Sequence, residues 1–419
     1  MSALRFAMVT TFYPPHNFGG DGIAVQRLAR ALVGRGHQVT VFHDVDAYRL
    51  LAQGREPDAP PEPQGLEVRR LRSSLGRVSP LLTHQLGRPV VHGRRIRREL
   101  RTGRFDVVHF HNVSLVGGPG VLGAGRGLKV YEAHEHWLVC PTHVLFRHKK
   151  EPCPGRQCVR CVLRHRRPLQ LWRHTGYLSR QLPHVDVFIA KSDFSRRKHR
   201  EFGFPMDMEV LPYFLPEPEA PSQPAPSPHP RPYFLFVGRL ERIKGLDEMI
   251  PIFAAYEEAD LLVAGDGEHG ATLRAMAGGS SRIRFLGRVE PAGLARYYEH
   301  ALALIVPSLC FETFGIVLIE AFQHGTPVIA RRFGPFPEIV EQSAGGILFD
   351  DERQLMAGLH RLQADDDLRR QMGAAARGSF ERLWSEKAVM PRYLEILGRA
   401  AERKGMSRLV DNLALESAA

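Results

Sequence analysis

Two carboxylates set in an apolar run raise the question of chemistry. The stretch CFETFGIVLIEAFQHGTPVIA, residues 310–330, places Glu312 and Glu320 eight positions apart with Gly315 between them. A carboxylate in such surroundings is costly without a partner. Gly315 allows close backbone approach, and a helix starting near it would aim the N–H groups of Phe314, Gly315, Ile316 and Val317 at an anion, helped by the helix dipole. Glu320 would then lie about 7.5 Å along the helix axis, roughly the offset between a diphosphate and the ribose of one nucleotide. A carboxylate accepts two hydrogen bonds, so Glu320 suits a vicinal diol, and Glu312, ahead of the helix, suits sugar hydroxyls. Two cations lie upstream. YFLFVGRLERIKG sets Arg239 just after a strand and Lys244 five positions on, a placement that suits a diphosphate. The plain alternative is ordinary ion pairing, with Glu312 an acid near a helix start and Glu320 paired to Arg331 or Arg332.

Two further groups could do chemistry. AHEH, at 133–136, offers His134 and His136 beside Glu132 and Glu135 at a strand end, where a histidine is either catalytic or a hydrogen-bonded structural residue. Four of the five cysteines fall close together, as Cys140, Cys153, Cys158 and Cys161, with His143, His148 and His165 nearby. That spacing is compatible with a structural zinc, with reduced thiols, or with a disulfide or redox pair, and all three readings stand open. Cys310, beside Glu312, reads as a small buried residue.

These groups need a scaffold that delivers loops to one edge. LRFAMVTTF (4–12) reads as a buried strand, YPPHNFGGDG (13–22) as a loop, IAVQRLARALVGRG (23–36) as a helix with a glycine stop, and HQVTVFHD (37–44) as a second strand. This β-loop-α-β unit signals a parallel, doubly wound sheet. DVVHFHN (106–112), LKVYEAHEH (128–136) and VDVFIAKS (185–192) read as later strands of the same sheet. PEPEAPSQPAPSPHPRP (216–232) is too rich in proline for a helix or a central strand and reads as a linker. The β/α pattern then restarts with YFLFVGRL (233–240), ADLLVAGDG (259–267), SRIRFLGRV (281–289), ALALIVPS (301–308) and TPVIARR (326–332). The expectation is two α/β, Rossmann-like domains, at 1–215 and 233–380, joined by the linker at 216–232. A helix at 381–404 follows, and a weakly structured tail begins after about Gly405.

The chain has 419 residues, too many for one ordinary core. Its charged share of 24% is that of a soluble globular protein, and no apolar run reaches the roughly 20 residues of a membrane span. The start lacks a signal-peptide pattern, so the sequence reads as cytoplasmic. The formal charge is +12, with basic clusters HGRRIRREL (92–100), RHRR (164–167) and SRRKHRE (195–201), all before residue 215. Such patches can meet anionic lipid, an anionic substrate or nucleic acid, and the plain alternative is a solvated surface of an Arg-rich chain. HGRRIRREL and SRRKHRE carry no interleaved aromatics for base stacking, so no nucleic-acid partner is expected.

Taken together, E-x7-E before HGTPVIA, FVGRLERIKG upstream and VAGDGE between them resemble the donor domain of retaining GT-B glycosyltransferases of family 4, the glycosyl transferases group 1. FYPPHNFGGDGIAVQRLARALVGRGHQVTV resembles that family's first βα unit, and DVVHFHN and AHEHWLVCP its later N-domain loops. The match runs from about residue 4 to 350. The resemblance implies a GT-B fold of two doubly wound domains facing a central cleft, with the acceptor side first and the nucleotide-sugar side second. The helix at 381–404 would cross back to the first domain. It implies Arg239 and Lys244 on the diphosphate, Glu312 on the donor sugar and Glu320 on the ribose. Phe314, Gly315 and Ile316 would offer backbone N–H groups, and Gly19 and Gly20 would approach the phosphates across the cleft. His134 would stand near the transferred sugar, so that His134, Arg239, Lys244 and Glu312 form the catalytic set. The implied reaction is sugar transfer from a nucleoside diphosphate with retention, with no cofactor or catalytic metal, in glycolipid, polysaccharide or glycoside synthesis. A UDP sugar is favoured over a GDP sugar, the acceptor is open, and peripheral contact with the inner face of an anionic membrane fits the basic first domain. Competing readings are a sugar-nucleotide epimerase or phosphorylase of the same fold, a nucleic-acid-binding protein and an inactive scaffold. The intact Arg239, Lys244, Glu312 and Glu320 argue against the last.

Overall fold

The computed structural model describes residues 3–52, 57, 61–217 and 226–417. Apolar β-rich runs alternate with amphipathic helices along the chain, and this alternation yields parallel sheets covered on both faces. The strands are β1 (Arg5–Thr10), β2 (Gln38–Asp44), β3 (Leu66–Leu71), β4 (Val107–Phe110), β5 (Leu128–Ala133), a short antiparallel pair β6 (Phe146–Arg147) and β7 (Glu151–Pro152), then β8 (Val187–Ala190) and β9 (Met208–Val210). After these come β10 (Tyr233–Val237), β11 (Asp260–Ala264), β12 (Ile283–Gly287), β13 (Leu304–Val306), β14 (Val328–Arg331) and β15 (Gly346–Phe349).

The chain forms two compact units. The first comprises Met1–Val144, Gly155–Tyr213 and Val389–Ala419; the second comprises Leu145–Pro154 and Phe214–Ala388. The first unit holds a seven-stranded parallel sheet in the order β3-β2-β1-β4-β5-β8-β9. The second holds a six-stranded parallel sheet in the order β12-β11-β10-β13-β14-β15. In each, the chain reverses its winding direction beside the first strand, between β1 and β4 or between β10 and β13. Such a switch point parts the loops at the strand C-termini and makes room for a ligand. Both sheets are buried on two faces, as in Phe6–Val9 of β1 and Phe234–Leu235 of β10.

The expected strands form within three residues of their predicted ends. β3, β9, β15 and the short β6–β7 pair had no counterpart in the sequence reading: LEVRRL is half charged, MEV is three residues long, GILF begins on the second glycine of a pair, and β6 and β7 are two residues each. The expected linker lies largely on 218–225, outside the described residues. The tail differs from expectation. Ser407–Ser417 is a helix, and Leu409 and Leu413 on its inner side are 4% and 2% exposed. Within the first unit, the long helix Glu386–Arg403 contributes Tyr393, whose hydroxyl is hydrogen-bonded to His109 Nδ1 at 3.1 Å. Its end is fixed by Arg399 to Glu209 at 3.1 Å and by Lys404 to Asp186 at 2.6 Å.

Candidate functional site

The second unit gathers most of the candidate residues at the C-terminal ends of β10 and β13. The turn after β10 is a short 3-10 segment, Arg242–Lys244, ended by Gly245 at φ 77. Leu309 N–H donates to Ile243 O at 2.8 Å, tying this turn to the loop after β13. A Cβ on Gly245 would stand 2.2 Å from the Pro307 carbonyl oxygen, so only glycine lets the two loops meet. Their meeting puts Lys244 Nζ 2.5 Å from Glu312 Oε1. Ser308 Oγ donates to the same carboxylate oxygen at 3.3 Å, and Cys310 Sγ lies 3.8 Å from it.

The electrostatics of this pair follow from its setting. Burial alone would push the Glu312 carboxyl up, but the Lys244 ammonium, the Ser308 hydroxyl and Arg239 together hold it below the usual carboxylate range. Burial would likewise push Lys244 down, and Glu312 more than offsets this, so the ammonium is held above its ordinary value. Both groups are therefore charged at neutral pH. Burial and the Glu312 charge push the Cys310 thiol up, so it stays protonated; at 4% exposed it is the small buried residue expected. Arg239 is more open to solvent. Its guanidinium is 55% exposed and meets Glu241 Oε1 at 2.8 Å, so its reach is toward solvent.

The helix Ile316–Gln323 starts where expected, with Gly315 as its N-cap at φ 124. A Cβ there would lie 2.8 Å from the Phe336 ring, so this glycine is fixed by packing as well as by backbone conformation. Phe314 is buried at 3%. Glu320, on the same helix, accepts a hydrogen bond from the Tyr298 hydroxyl at 3.1 Å. Its supposed structural partners are engaged elsewhere: Arg331 pairs with Glu248, and Arg332 with Asp350 at 3.1 Å. Arg239, Lys244, Glu312, Phe314, Gly315, Ile316 and Glu320 therefore all belong to this unit. Four of them, Lys244, Glu312, Gly315 and Glu320, sit on two tied loops and one helix start.

The remaining candidates belong to the first unit. Gly19 caps the helix Gly20–Gly34 in extended backbone, and an added Cβ would meet only Asp21 Oδ1, at 3.7 Å. Among the described residues, no contact therefore demands glycine at 19. His134, just past β5, is buried with both ring nitrogens engaged: Nδ1 with the Tyr213 hydroxyl at 2.7 Å and Nε2 with His111 Nδ1 at 2.9 Å. Burial lowers its pKa, so the ring is neutral at neutral pH. Beneath it lies a buried ion pair, Glu132–Lys191. Burial would raise Glu132, but Lys191 and then His134 and His109 hold it well below the usual range, while burial lowers Lys191. His109 Nε2 stands 3.2 Å from Glu132 Oε2. The His134 ring is thus a member of a packed polar network rather than a group open to solvent, and His111, Lys191 and Tyr213 were not foreseen as its partners. AKS at the end of β8 was the available signal: a lysine following a wholly apolar strand needs a buried counter-charge.

Cys140 and Cys161 are buried, while Cys153 and Cys158 are partly exposed. Among the described residues, the groups of three or more histidine, cysteine or carboxylate ligands lying within 4.8 Å of one another are His109–His111–Glu132 and Asp44–Asp46–His92; the cysteines form none. Burial pushes the Arg173 guanidinium down to about 10, with Cys140 and Cys158 partly offsetting this.

Comparison with known proteins adds to this geometry. Residues 18–215 match the model of Glycosyltransferase Family 4, and residues 219–379 that of Glycosyl transferases group 1. The chain is 30% identical to the phosphatidyl-myo-inositol mannosyltransferase of Mycobacterium leprae over 88% of its own length and 92% of the relative's. It is 27% identical to the D-inositol 3-phosphate glycosyltransferase of Nocardiopsis dassonvillei, over 85% and 84%. Among solved structures, sucrose-phosphate synthase from Thermosynechococcus elongatus superposes with a TM-score of 0.70 at 21% identity, covering 98% of this chain and 99% of that one. Anabaena HepE in complex with UDP and glucose superposes with a TM-score of 0.63 at 18% identity, covering 94% and 100%.

Proposed function

Because the chain belongs to the group 1, family 4-type glycosyltransferases and has their GT-B fold, we propose that its second unit binds a nucleoside-diphosphate sugar at the start of the helix Ile316–Gln323 and that the enzyme transfers the sugar with retention of configuration. The observation that carries this reading is the charged Lys244–Glu312 pair beside that helix start. A bound diphosphate competes with Glu312 for Lys244, and the helix N–H groups and Arg239 share its charge. Glu312, once released, accepts from donor-sugar hydroxyls, and Glu320 accepts from the ribose. Gly19 and Gly20 are assigned to donor binding, Gly19 because nothing internal requires a glycine there.

As the glycosidic bond breaks, positive charge grows on the sugar ring and negative charge on the leaving phosphate. Lys244, Arg239 and the helix dipole stabilise the latter. The acceptor oxygen attacks from the face the diphosphate leaves, and its proton passes to the departing phosphate oxygen. The two cations supply the electrostatic stabilisation that a divalent ion supplies elsewhere, so transfer should run equally well with and without added Mg²⁺. His134 acts as a positioning residue: both nitrogens are held, which leaves its ring neither a base nor an acid for the acceptor.

The acceptor class comes from the relatives. Those named as acting on phosphatidyl-myo-inositol and D-inositol 3-phosphate support an inositol-phosphate group, soluble or lipid-borne. A relative from Corynebacterium glutamicum, 30% identical over 51% of this chain, is named as GDP-mannose-dependent. The UDP preference of the sequence reading therefore has no support from the named relatives, and GDP-mannose enters the donor set on equal terms. Incubation with GDP-mannose or UDP-glucose and either D-inositol 3-phosphate or phosphatidylinositol vesicles should give one labelled product with its anomeric configuration retained, read by NMR. An inverted product would overturn the retaining assignment, and no product from any pairing would overturn the acceptor class.

A further inference from the structure

A second cluster of chemistry-bearing side chains lies in the first unit, and none of the residues assigned to donor binding belongs to it. Asp44 ends β2, Asp46 is in the first turn of the helix Val45–Leu51, and His92 precedes the helix Gly93–Thr102. They are 1%, 0% and 6% exposed, and one ligand atom from each lies within 4.8 Å of the others. Half of each carboxylate is accounted for. The N–H of Ala47 donates to Asp44 Oδ1 at 3.1 Å, and Asp46 Oδ2 accepts from the Ser73 N–H at 2.8 Å and from its hydroxyl at 2.7 Å. Asp44 Oδ2, Asp46 Oδ1 and His92 Nε2 are buried with no hydrogen-bond partner. The imidazole of His92 is set beside them, its Nε2 close to Asp46.

Two carboxyl groups buried side by side are costly to hold unless something neutralises or ligates them. The contrast lies in the same unit, where Lys191 neutralises Glu132 beneath His134. The spacing supplies a clue to what neutralises Asp44 and Asp46. His92 Nε2 stands 3.5 Å from Asp46 Oδ2, long for a hydrogen bond. Two ligands held about 2.0–2.1 Å from one tetrahedral ion are about 3.3–3.4 Å apart. One imidazole and two carboxylates form a donor set for a first-row divalent ion, zinc above all, rather than for magnesium or calcium.

We propose that Asp44, Asp46 and His92 form a divalent transition-metal site, of zinc type, that pins the segment after β2 to the start of the helix Gly93–Thr102. The role is structural, and the site stands independently of the glycosyl-transfer reading. The ion cross-links two segments nearly fifty residues apart in the chain.

Cobalt(II) substitution tests this in the full chain. The protein is stripped with a chelator, reloaded with Co²⁺, and examined for stoichiometry and visible spectrum. The expected result is one cobalt per chain with the d–d bands of nitrogen and oxygen ligands and no sulfur-to-cobalt charge transfer. His92→Gln, with its fold checked by circular dichroism, should lose that ion, and Cys158→Ser should keep it. If His92→Gln does not fold, Asp46→Asn replaces it. The proposal is overturned by a chain that binds no cobalt, by cobalt whose every equivalent shows sulfur charge transfer, or by full retention of the ion in the His92 or Asp46 variant. His92 is outside the donor set, so nucleotide-sugar binding by the same variant reports separately on the enzymatic reading.

Discussion

Lys244 and Glu312 illustrate how one pair serves two states. Unliganded, each neutralises the other; in the proposed donor complex, a diphosphate gives each a separate partner. Lys244→Ala should lower the transfer rate about 10²–10³-fold, the usual cost of removing one preorganised donor from a developing oxyanion, and a steady-state assay reads it. The pair also predicts a pH dependence. Glu312 is held below its ordinary range in the folded state, so its contribution to stability is complete above the unfolded glutamate pKa of about 4.3 and is lost as pH falls through the lowered value. Lys244 is held above its ordinary value, so its share is complete below about 10.4 and is lost as pH rises through the raised one. Denaturant titrations from neutral into acid should show Glu312→Gln with a flatter acid limb than the wild type; an unchanged limb would contradict the pairing. In the other unit, Lys191→Met leaves Glu132 buried and unpaired, which should cost about 3–5 kcal/mol. The double variant Lys191→Met/Glu132→Leu should recover most of that, as read by chemical denaturation.

Loops and helix starts decide how these residues meet. Gly245 takes φ 77 and has no room for a Cβ beside Pro307. Gly245→Ala should therefore destabilise the chain by at least roughly 1–3 kcal/mol from backbone strain and separate Lys244 from Glu312, lowering activity beyond what the stability loss explains. This level also shows what could be read without coordinates. Strands such as FAMVT and YFLFV are continuous apolar runs, and E-x7-E with a glycine between marks a helix start, so the sheets and the start of the helix Ile316–Gln323 were legible. The partners were not. Tyr298 meets Glu320 from a helix 22 positions away, and Tyr213 meets His134 across 79 positions, and such pairings depend on packing rather than local pattern. LEVRRL escaped notice because its edge position leaves alternate side chains exposed and polar. The C-terminal helix was not anticipated, and Leu409 and Leu413 carry its burial. His134, read as a catalytic residue from its motif, has a ring closed in by Tyr213 and His111. Only the three-dimensional network distinguishes an open histidine from a held one.

At the scale of the whole chain, the anionic acceptor proposed above would have a basic surface to meet. The basic clusters belong to the first unit, where Arg94, Arg97, Arg98 and Arg101 are exposed on one helix, and Leu81, Leu86 and Val90 are exposed just before it. No helix among the described residues is long and apolar enough to cross a membrane. A basic helix next to exposed aliphatic side chains suits a membrane surface instead. Co-sedimentation with vesicles containing phosphatidylinositol should show binding at low salt that falls as salt is raised, and Arg94→Glu/Arg97→Glu should weaken it; indifference to lipid charge would favour a soluble acceptor. The central claim, however, is the donor site, and equilibrium binding tests it most directly. Thermal stabilisation by a panel of nucleotide sugars, GDP-mannose and UDP-glucose included, should identify at least one that raises the melting temperature of the wild type and has little effect on Lys244→Ala or Glu320→Gln. A panel in which none stabilises the wild type, or in which those variants bind as tightly as the wild type, would contradict the account.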